Sequence, residues 1–126
     1  MKKIPRISEG EWLVMKAVWE KSPCPAQEVM ARLAGKTDWS AATVKTLLNR
    51  LVKKQALRFA REGKAYWYSP AYDAEQLRSA EAESFLRRIF DGALTPLVAH
   101  FVRSRKLSAA ELAELERILR AKKKEL

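Results

Sequence analysis

The sequence predicts a mainly α-helical protein with one small β-hairpin, and three features lead to this expectation. Apolar residues recur at helical spacing in six segments, whereas the alternation typical of strands is confined to residues 57–69. Capping residues stand where these helices would begin, and Gly35 and Gly63 stand where a helix and a strand would end. The 126 residues suffice for one ordinary domain, or for a small domain plus a segment through which copies associate.

Two helices are predicted in the first 35 residues. Ser8 and Glu11 have the spacing of a capping box, so the first helix should begin there and continue to about residue 20. Prolines end it, and Pro25 can occupy the first position of a second, short helix that Gly35 terminates. The apolar faces would comprise Trp12, Met15, Val18 and Trp19 in the first helix, and Val29, Met30 and Leu33 in the second.

A third helix is predicted after a loop at residues 36–39, with Ser40 as its cap because the hydroxyl can accept from an amide near Thr43. Its apolar stripe comprises Val44, Leu47, Leu48, Leu51 and Val52, and its other arc carries Ala42, Thr46, Asn49, Arg50 and Lys53. Small and hydroxyl residues followed by cations suit a helix whose front enters a DNA major groove while later side chains meet phosphates. A merely solvated outer face is the alternative.

Residues 57–61 and 64–69 are predicted to form the two strands of a hairpin, with a tight turn at Glu62 and Gly63. Three helices followed by such a ribbon within about 70 residues are typical of a winged helix-turn-helix. The sequence therefore predicts a winged-helix DNA-binding domain at residues 1–72. Arg61 and Lys64 would flank a wing tip that can touch phosphate or the minor groove, unless the hairpin is only a stabilising flap.

The remaining residues, 73–126, are predicted to be entirely helical, with helices starting at Asp73, at Thr95 and Pro96, and at Ser108. About 50 residues cannot bury all the apolar side chains of these helices, because so small a domain keeps too much surface. We therefore expect a helical dimerisation domain that makes the protein a homodimer. The alternative is that these helices pack onto the first 70 residues as the single core of a monomer. The apolar residues are Leu77, Ala80, Phe85, Leu86, Ile89, Phe90, Leu97, Val98, Phe101, Val102, Leu112, Leu115, Ile118 and Leu119.

The charge distribution favours a polyanionic partner, and double-stranded DNA fits it best. Twenty-five Lys and Arg residues face 15 Asp and Glu residues, for a net charge of +10. Most of the excess lies in the first 70 residues, and between residues 39 and 64 there are seven cations against the single acid Glu62. Such a cluster attracts DNA by counterion release, which makes binding strongly dependent on salt.

Several classes of function are disfavoured by what the chain contains. With one cysteine and one histidine, neither an intrachain disulfide nor a four-ligand Cys/His zinc site can form. No nucleophile and base pair, phosphate loop or carboxylate pair is visible, so we expect no enzymatic activity, no cofactor and no small-molecule substrate. Cys24 is expected to be a small buried side chain rather than a redox sensor. No long apolar run and no signal-like stretch after Met1, Lys2 and Lys3 is present, which predicts a cytoplasmic protein.

Three motifs resemble the penicillinase repressor family of bacterial winged-helix regulators. They are WSAATVKTLLNRLVKK at residues 39–54, EGEW at residues 9–12 and GKAYWYSP at residues 63–70. The resemblance covers nearly the whole chain, including LSAAEL at residues 107–112. It implies a homodimer that binds a palindromic operator through winged modules and represses resistance genes, such as those for antibiotic resistance.

The resemblance also implies roles for individual residues. Bases or phosphates would be approached at the front of the third helix by Ser40, Ala42, Thr43 and Thr46. The DNA backbone would be contacted further along the helix by Lys45, Arg50 and Lys53, and from the wing by Arg61 and Lys64. Trp39 would be either a core or loop anchor or a phosphate donor through its indole N–H.

Two departures from the family pattern concern how repression is released. Copper-responsive relatives have a cysteine-rich tail, whereas residues 120–126 contain no cysteine, so copper or zinc sensing through a tail is not expected. In relatives that respond to β-lactams, a membrane sensor protease system leads indirectly to cleavage of an Asn-Phe bond. The corresponding candidate cleavage site here is His100-Phe101, with His in place of Asn. The alternatives are that His100 is an ordinary surface or dimer-interface residue, or a pH sensor.

Overall fold

The structure is a computed structural model that describes residues 4–126. The prediction that no signal peptide is present relied in part on Met1, Lys2 and Lys3, which lie outside the described residues. Helices dominate it, and a three-stranded antiparallel sheet is the only sheet in this part of the chain, which confirms the predicted fold class. The elements are α1 (Glu9–Glu20), β1 (Cys24–Pro25), α2 (Ala26–Leu33), α3 (Ala41–Lys53), β2 (Leu57–Glu62), β3 (Ala65–Pro70), α4 (Ala74–Phe90), α5 (Leu94–Ser104) and α6 (Ala109–Lys123).

The sheet differs from the predicted hairpin in two ways. A third strand, β1, pairs with β3, so that Cys24 lies opposite Tyr68; two residues are too short to show strand periodicity in a sequence. In addition, Glu62 pairs with Ala65, and the turn is therefore formed by Gly63 and Lys64 rather than by Glu62 and Gly63. Gly63 has a φ of 65°, a conformation that favours glycine at the first position of a two-residue hairpin loop.

Side-chain caps fix the helix boundaries where the sequence predicted them. Ser8 forms the complete capping box of α1 with Glu11, and Ser108 forms the same box at α6. Asp73 and Gln76 bond each other's backbone amides at the start of α4. Two starts were placed wrongly: Pro25 is the N-cap of α2 and not its first residue, since it is still extended as part of β1, and α5 begins at Leu94, before the predicted Thr95.

The core of the first half lies between α1, α2, α3 and β3. Its fully buried side chains include Met15, Leu48, Leu51, Leu57, Val14, Val18, Val29 and Val44. Arg32 of α2 donates to the carbonyls of Ala17 and Lys21 at 2.8 Å, which satisfies the end of α1, a helix without a basic residue in its last turn. Cys24 is also fully buried, and burial raises the pKa of its thiol although Arg32 lies nearby.

The chain divides into two compact units within α4. The first unit ends at Glu83 and the second comprises Ser84–Leu126. The boundary predicted from the sequence, after residue 72, lies earlier, just before the start of α4. Leu77 explains the difference, because it is fully buried in the core of the first unit; its assignment to a dimerisation surface was therefore wrong. Glu81 strengthens this attachment by accepting a hydrogen bond from the amide of Ile7 at 3.3 Å.

A partly buried ion pair joins the beginning of α1 to the end of α3. The ammonium of Lys54 lies 2.5 Å from Oε1 of Glu11, whose side chain is 2% exposed, and it also donates to the carbonyl of Arg6. Burial raises the pKa of Glu11, but the hydrogen bonds from Lys54 and from the Ser8 amide outweigh burial, so the pKa lies below its usual value. Glu11 therefore stabilises the fold above its ordinary pKa, and this contribution is lost as the pH falls through the lowered value.

Replacing Lys54 with Met should lower the free energy of unfolding at pH 7 by about 2 kcal/mol, because it leaves the buried carboxylate of Glu11 unpaired. The loss should be smaller than for a fully buried ion pair, because Lys54 is partly exposed. Urea unfolding at pH 7 and pH 4 measures it. The deficit should shrink at pH 4, because the unpaired Glu11 takes up a proton, and the double variant Glu11→Gln, Lys54→Met should recover much of the loss. An equal deficit at both pH values would contradict this role.

Candidate nucleic-acid interface

Helix α3 is amphipathic in the way its sequence predicted. Ser40 caps it by accepting from the Thr43 amide at 3.2 Å. Val44, Leu47, Leu48 and Leu51 are buried, while Val52 is half-buried at the edge of the core. The opposite side of the helix is solvent-exposed and carries the predicted contact residues Ala42, Thr43, Lys45, Thr46, Arg50 and Lys53, together with Asn49. One continuous face is therefore available to a partner.

The hydroxyl groups on this face are already engaged within the helix. Thr46 donates to the carbonyl of Ala42 at 3.0 Å, which leaves its methyl group and the oxygen lone pairs for a partner. The Ser40 hydroxyl accepts from the Thr43 amide and lies 3.2 Å from the Thr43 hydroxyl, so its first role is to cap the helix.

A concave groove of about 400 Å³ lies beside α3. Three elements form its walls: the start of α2, the outer side of α3 and the wing, which is the hairpin of β2 and β3. The lining residues are Pro25, Ala26, Gln27, Lys45, Asn49, Lys64, Ala65, Tyr66 and Tyr68. Gln27 and Tyr66 were not predicted as site residues, and Asn49 was noted only as part of the outer arc, because the groove exists only once the three elements pack together.

The wing carries cations and aromatic rings side by side. Arg61 and Lys64 are both exposed, as predicted for the wing tip. Arg61 donates to the carbonyl of Gly63 at 3.2 Å, and its guanidinium carbon lies 6.0 Å from the centre of the Tyr66 ring. Phe59 and Tyr66 meet edge to face with ring centres 5.1 Å apart.

The positive charge of this surface is uncompensated, with one exception. Within residues 4–126, six of the seven cations counted between residues 39 and 64 have no carboxylate within 4.0 Å: Lys45, Arg50, Lys53, Arg58, Arg61 and Lys64. The seventh, Lys54, is paired with the carboxylate of Glu11. Cations without a carboxylate partner attract a polyanion more strongly than paired cations do.

Trp39 is half-buried next to α1. A Cβ atom added to Gly10 would lie 3.6 Å from two atoms of the Trp39 ring, so the ring covers this glycine closely. This packing supports the interpretation of Trp39 as an anchor that holds the loop before α3. It also positions Ser40, the cap of α3, relative to the core.

The second unit exposes its apolar side chains. Neither α5 nor α6 has a buried residue. The exposed large apolar residues of α4, α5 and α6 are Phe85, Ile89, Leu94, Val98, Phe101, Val102, Leu112, Leu115, Ile118 and Leu119. Leu86, Phe90 and Leu97 are half-buried. His100 and Phe101 lie in the middle of α5 with both side chains exposed and ring centres 5.2 Å apart.

No helix within residues 4–126 is long and apolar enough to cross a membrane. The same residues contain no group of three His, Cys, Asp or Glu side chains arranged to hold a metal ion.

Comparison with known proteins gives one consistent result. Residues 7–121 match the family model described as penicillinase repressor. The penicillinase repressor of Bacillus licheniformis is 40% identical over 119 residues, which cover 94% of this chain and 93% of the relative. The methicillin resistance regulatory protein MecI of Staphylococcus aureus strain N315 is 30% identical over 116 residues, which cover 92% of this chain and 94% of the relative.

Two solved structures resemble the first part of the chain. The DNA-binding domain of the repressor BlaI, solved in solution, is 43% identical with a TM-score of 0.53 and covers 59% of this chain and 90% of that one. Monomeric Bacillus licheniformis BlaI in complex with the blaP half-operator is also 43% identical, with a TM-score of 0.52, and covers 60% of this chain and 92% of that one. These similarities confirm the predicted winged-helix module.

Proposed function

The chain belongs to the penicillinase repressor family, and we propose that it is a dimeric repressor that binds a palindromic operator, in the manner of regulators of resistance genes. The uncompensated cations on the exposed face of α3 and on the wing carry this proposal. A B-DNA major groove about 12 Å wide accepts a helix such as α3. The wing would then lie along the adjacent backbone.

In this proposal the residues of α3 divide by position. Ala42, Thr46 and Asn49 occupy the middle of the exposed face, where side chains reach base edges. Lys45 and Arg50 lie on its two flanks, and Lys53 lies one turn further from the helix start; these three cations would bind phosphates. Arg61 and Lys64 would bind phosphates from the wing. A relative that was solved in complex with a half-operator supports DNA as the partner of this module.

The second unit would join two such modules. Ten large apolar residues of α4, α5 and α6 are between 38% and 62% exposed, and so much exposed apolar surface indicates an interaction site. A second copy of the chain would cover them, and its two-fold symmetry would place two α3 helices on half-sites about one helical turn apart. The DNA-binding domain in this proposal extends through residue 83, because Leu77 belongs to its core.

Repression by occupying an operator requires no chemical step. The proposal therefore includes no enzymatic activity, cofactor or small-molecule substrate, and it places the protein in the cytoplasm, where the DNA is. If a sensor protease system releases repression by cutting His100-Phe101, α5 must first unwind locally, because both residues lie within the helix.

Selection of duplexes from a randomised pool tests the proposed function. We expect the full chain to select a dyad-symmetric sequence whose half-sites are centred about 10 base pairs apart, or a multiple of that distance. Selection of no sequence, or of single half-sites only, would contradict the proposal. The duplex obtained is called the selected duplex below.

Replacing Thr46 with Ser should reduce affinity for the selected duplex by about 1 kcal/mol per half-site, and only where a thymine is contacted. Thr46 is exposed and its hydroxyl donates to the carbonyl of Ala42, so its methyl group is the part left to contact a thymine methyl. Competition binding against duplexes changed at single base pairs measures it. Affinity for an unrelated duplex serves as the control and should not change. An equal loss on the unrelated duplex would make Thr46 a backbone contact.

A further inference from the structure

The wing carries an aromatic surface that is not required for the core. In β2 and β3, alternate residues share a face, so Leu57, Phe59 and Arg61 lie on the same side as Tyr66 and Tyr68. Leu57 and Tyr68 are buried at the base of this face. Beyond them the face continues towards the tip with Phe59 and Tyr66, which are 52% and 47% exposed.

Pairing between the two rings explains only part of this surface. An edge-to-face contact between neighbouring strands stabilises a hairpin, and Phe59 and Tyr66 make one. About half of each ring nevertheless remains in contact with water. Tyr66 also lines the groove whose other polar walls include Lys45, Asn49 and Lys64. The Tyr66 ring is thus continuous with the cationic surface of α3, and the Phe59 ring lies against Tyr66.

The chemistry of this face matches one kind of partner. A DNA strand alternates anionic phosphates with the apolar carbons of its deoxyriboses, and the wing alternates cations with rings: Arg61 and Lys64 stand beside Phe59 and Tyr66. Apolar contacts of this kind contribute affinity without releasing counterions. Hence their contribution should not depend on salt.

We propose that Phe59 and Tyr66 pack against the deoxyriboses of the DNA strand that runs between the wing and α3, and that they form an apolar, salt-independent part of the interface. This inference rests on the proposed function and assigns it two contact residues on the wing. The Tyr66 ring is the contacting group, and its hydroxyl is not needed.

The variants Phe59→Thr and Tyr66→Thr test the inference, since threonine favours strands and keeps the hairpin but lacks a ring. Each threonine variant should bind the selected duplex about 100-fold more weakly than the unchanged protein. Loss of about 60 Å² of buried ring surface corresponds to about tenfold in affinity in each half-site, and a dimer occupies two half-sites. Tyr66→Phe should stay within threefold of the unchanged protein. Plots of log affinity against log salt should keep their slope in all three variants, whereas the control Lys64→Ala should make the slope shallower by about 1.8, one lost phosphate in each half-site.

Unchanged affinity of Tyr66→Thr would overturn the inference, as would a shallower slope or a Tyr66→Phe variant as weak as Tyr66→Thr. If the threonine variants melt at lower temperature, photocrosslinking of the unchanged protein to the selected duplex carrying 5-iodouracil decides instead. Crosslinks should map to Tyr66 within the tryptic peptide of residues 65–78, and their absence there would overturn the inference. If the unchanged protein binds no duplex, the proposed function itself is contradicted. If the unchanged protein binds and Tyr66→Thr binds equally well, only the inference about the rings is contradicted.

Discussion

The double variant Val98→Glu, Phe101→Glu is expected to be monomeric and to bind the selected duplex about 10²–10⁴-fold more weakly than the unchanged protein. Both side chains are exposed on α5, at 45% and 47%, and carboxylates there would have to be buried without partners if two copies associated. Loss of association removes the second, intramolecular binding event. Affinity for a duplex with one half-site should remain unchanged, because α3 and the wing are untouched.

Light scattering and binding titrations measure both effects. Arg103→Glu is a matched control, since it makes the same change in charge at an exposed position of α5 without removing an apolar side chain. A double variant that remains dimeric and keeps full affinity would contradict the assignment of α5 to the dimer interface. Weaker binding to the single half-site would indicate a folding defect instead.

Replacing Arg50 with Ala is expected to weaken binding to all duplexes alike, by about 60-fold at 0.1 M salt. Each dimer would lose two phosphate contacts, so the slope of log affinity against log salt should become shallower by about 1.8. Lys53→Ala should behave in the same way. Arg50 and Lys53 have no carboxylate partner among residues 4–126, so the substitution should leave the free energy of unfolding nearly unchanged.

Lys16→Ala provides the control for this series. Lys16 is an exposed cation on α1 and is not among the residues of α3 and the wing that are proposed to bind DNA. Its removal changes the net charge by the same amount and should leave the slope as it was. If the slope stays constant in Arg50→Ala, Arg50 is not part of the interface. If the slope changes equally in Lys16→Ala, the effect is due to net charge and gives no evidence that Arg50 contacts DNA.

Local signals in the sequence predicted much of this fold. The caps at Ser8, Ser40 and Ser108 and the buried stripe of α3 depend on residues within a few positions of each other, and all of them are present in the structure. The wing was likewise predicted from the alternation of apolar and polar residues in its strands and from Gly63 in its turn. Such features are set by neighbouring residues before any tertiary contact forms.

Features that depend on distant residues were missed or misassigned. Strand β1 exists because Cys24 meets Tyr68 across the sheet, and Leu77 is buried because the first turns of α4 pack on the first unit. Lys54 was counted in the cation cluster of residues 39–64, but it is paired with Glu11, 43 positions away in the chain. The groove with Gln27 and Tyr66 likewise requires three elements to come together.

The burial of Leu77 also changes how the domains should be separated. A fragment ending at residue 72 would lose a fully buried core side chain and would be expected to unfold more readily, whereas a fragment ending at Glu83 keeps the whole first unit. The second fragment is therefore the appropriate one for measuring binding by a single module.

The mass of the complex between the full chain and the selected duplex tests the central claim most directly. Sedimentation velocity should show two 14.4-kDa chains on each duplex, bound together over the whole titration without a populated complex of one chain. Saturation at one chain per duplex, or no complex at all at 0.1 M salt, would contradict a dimeric repressor that binds DNA through α3 and the wing.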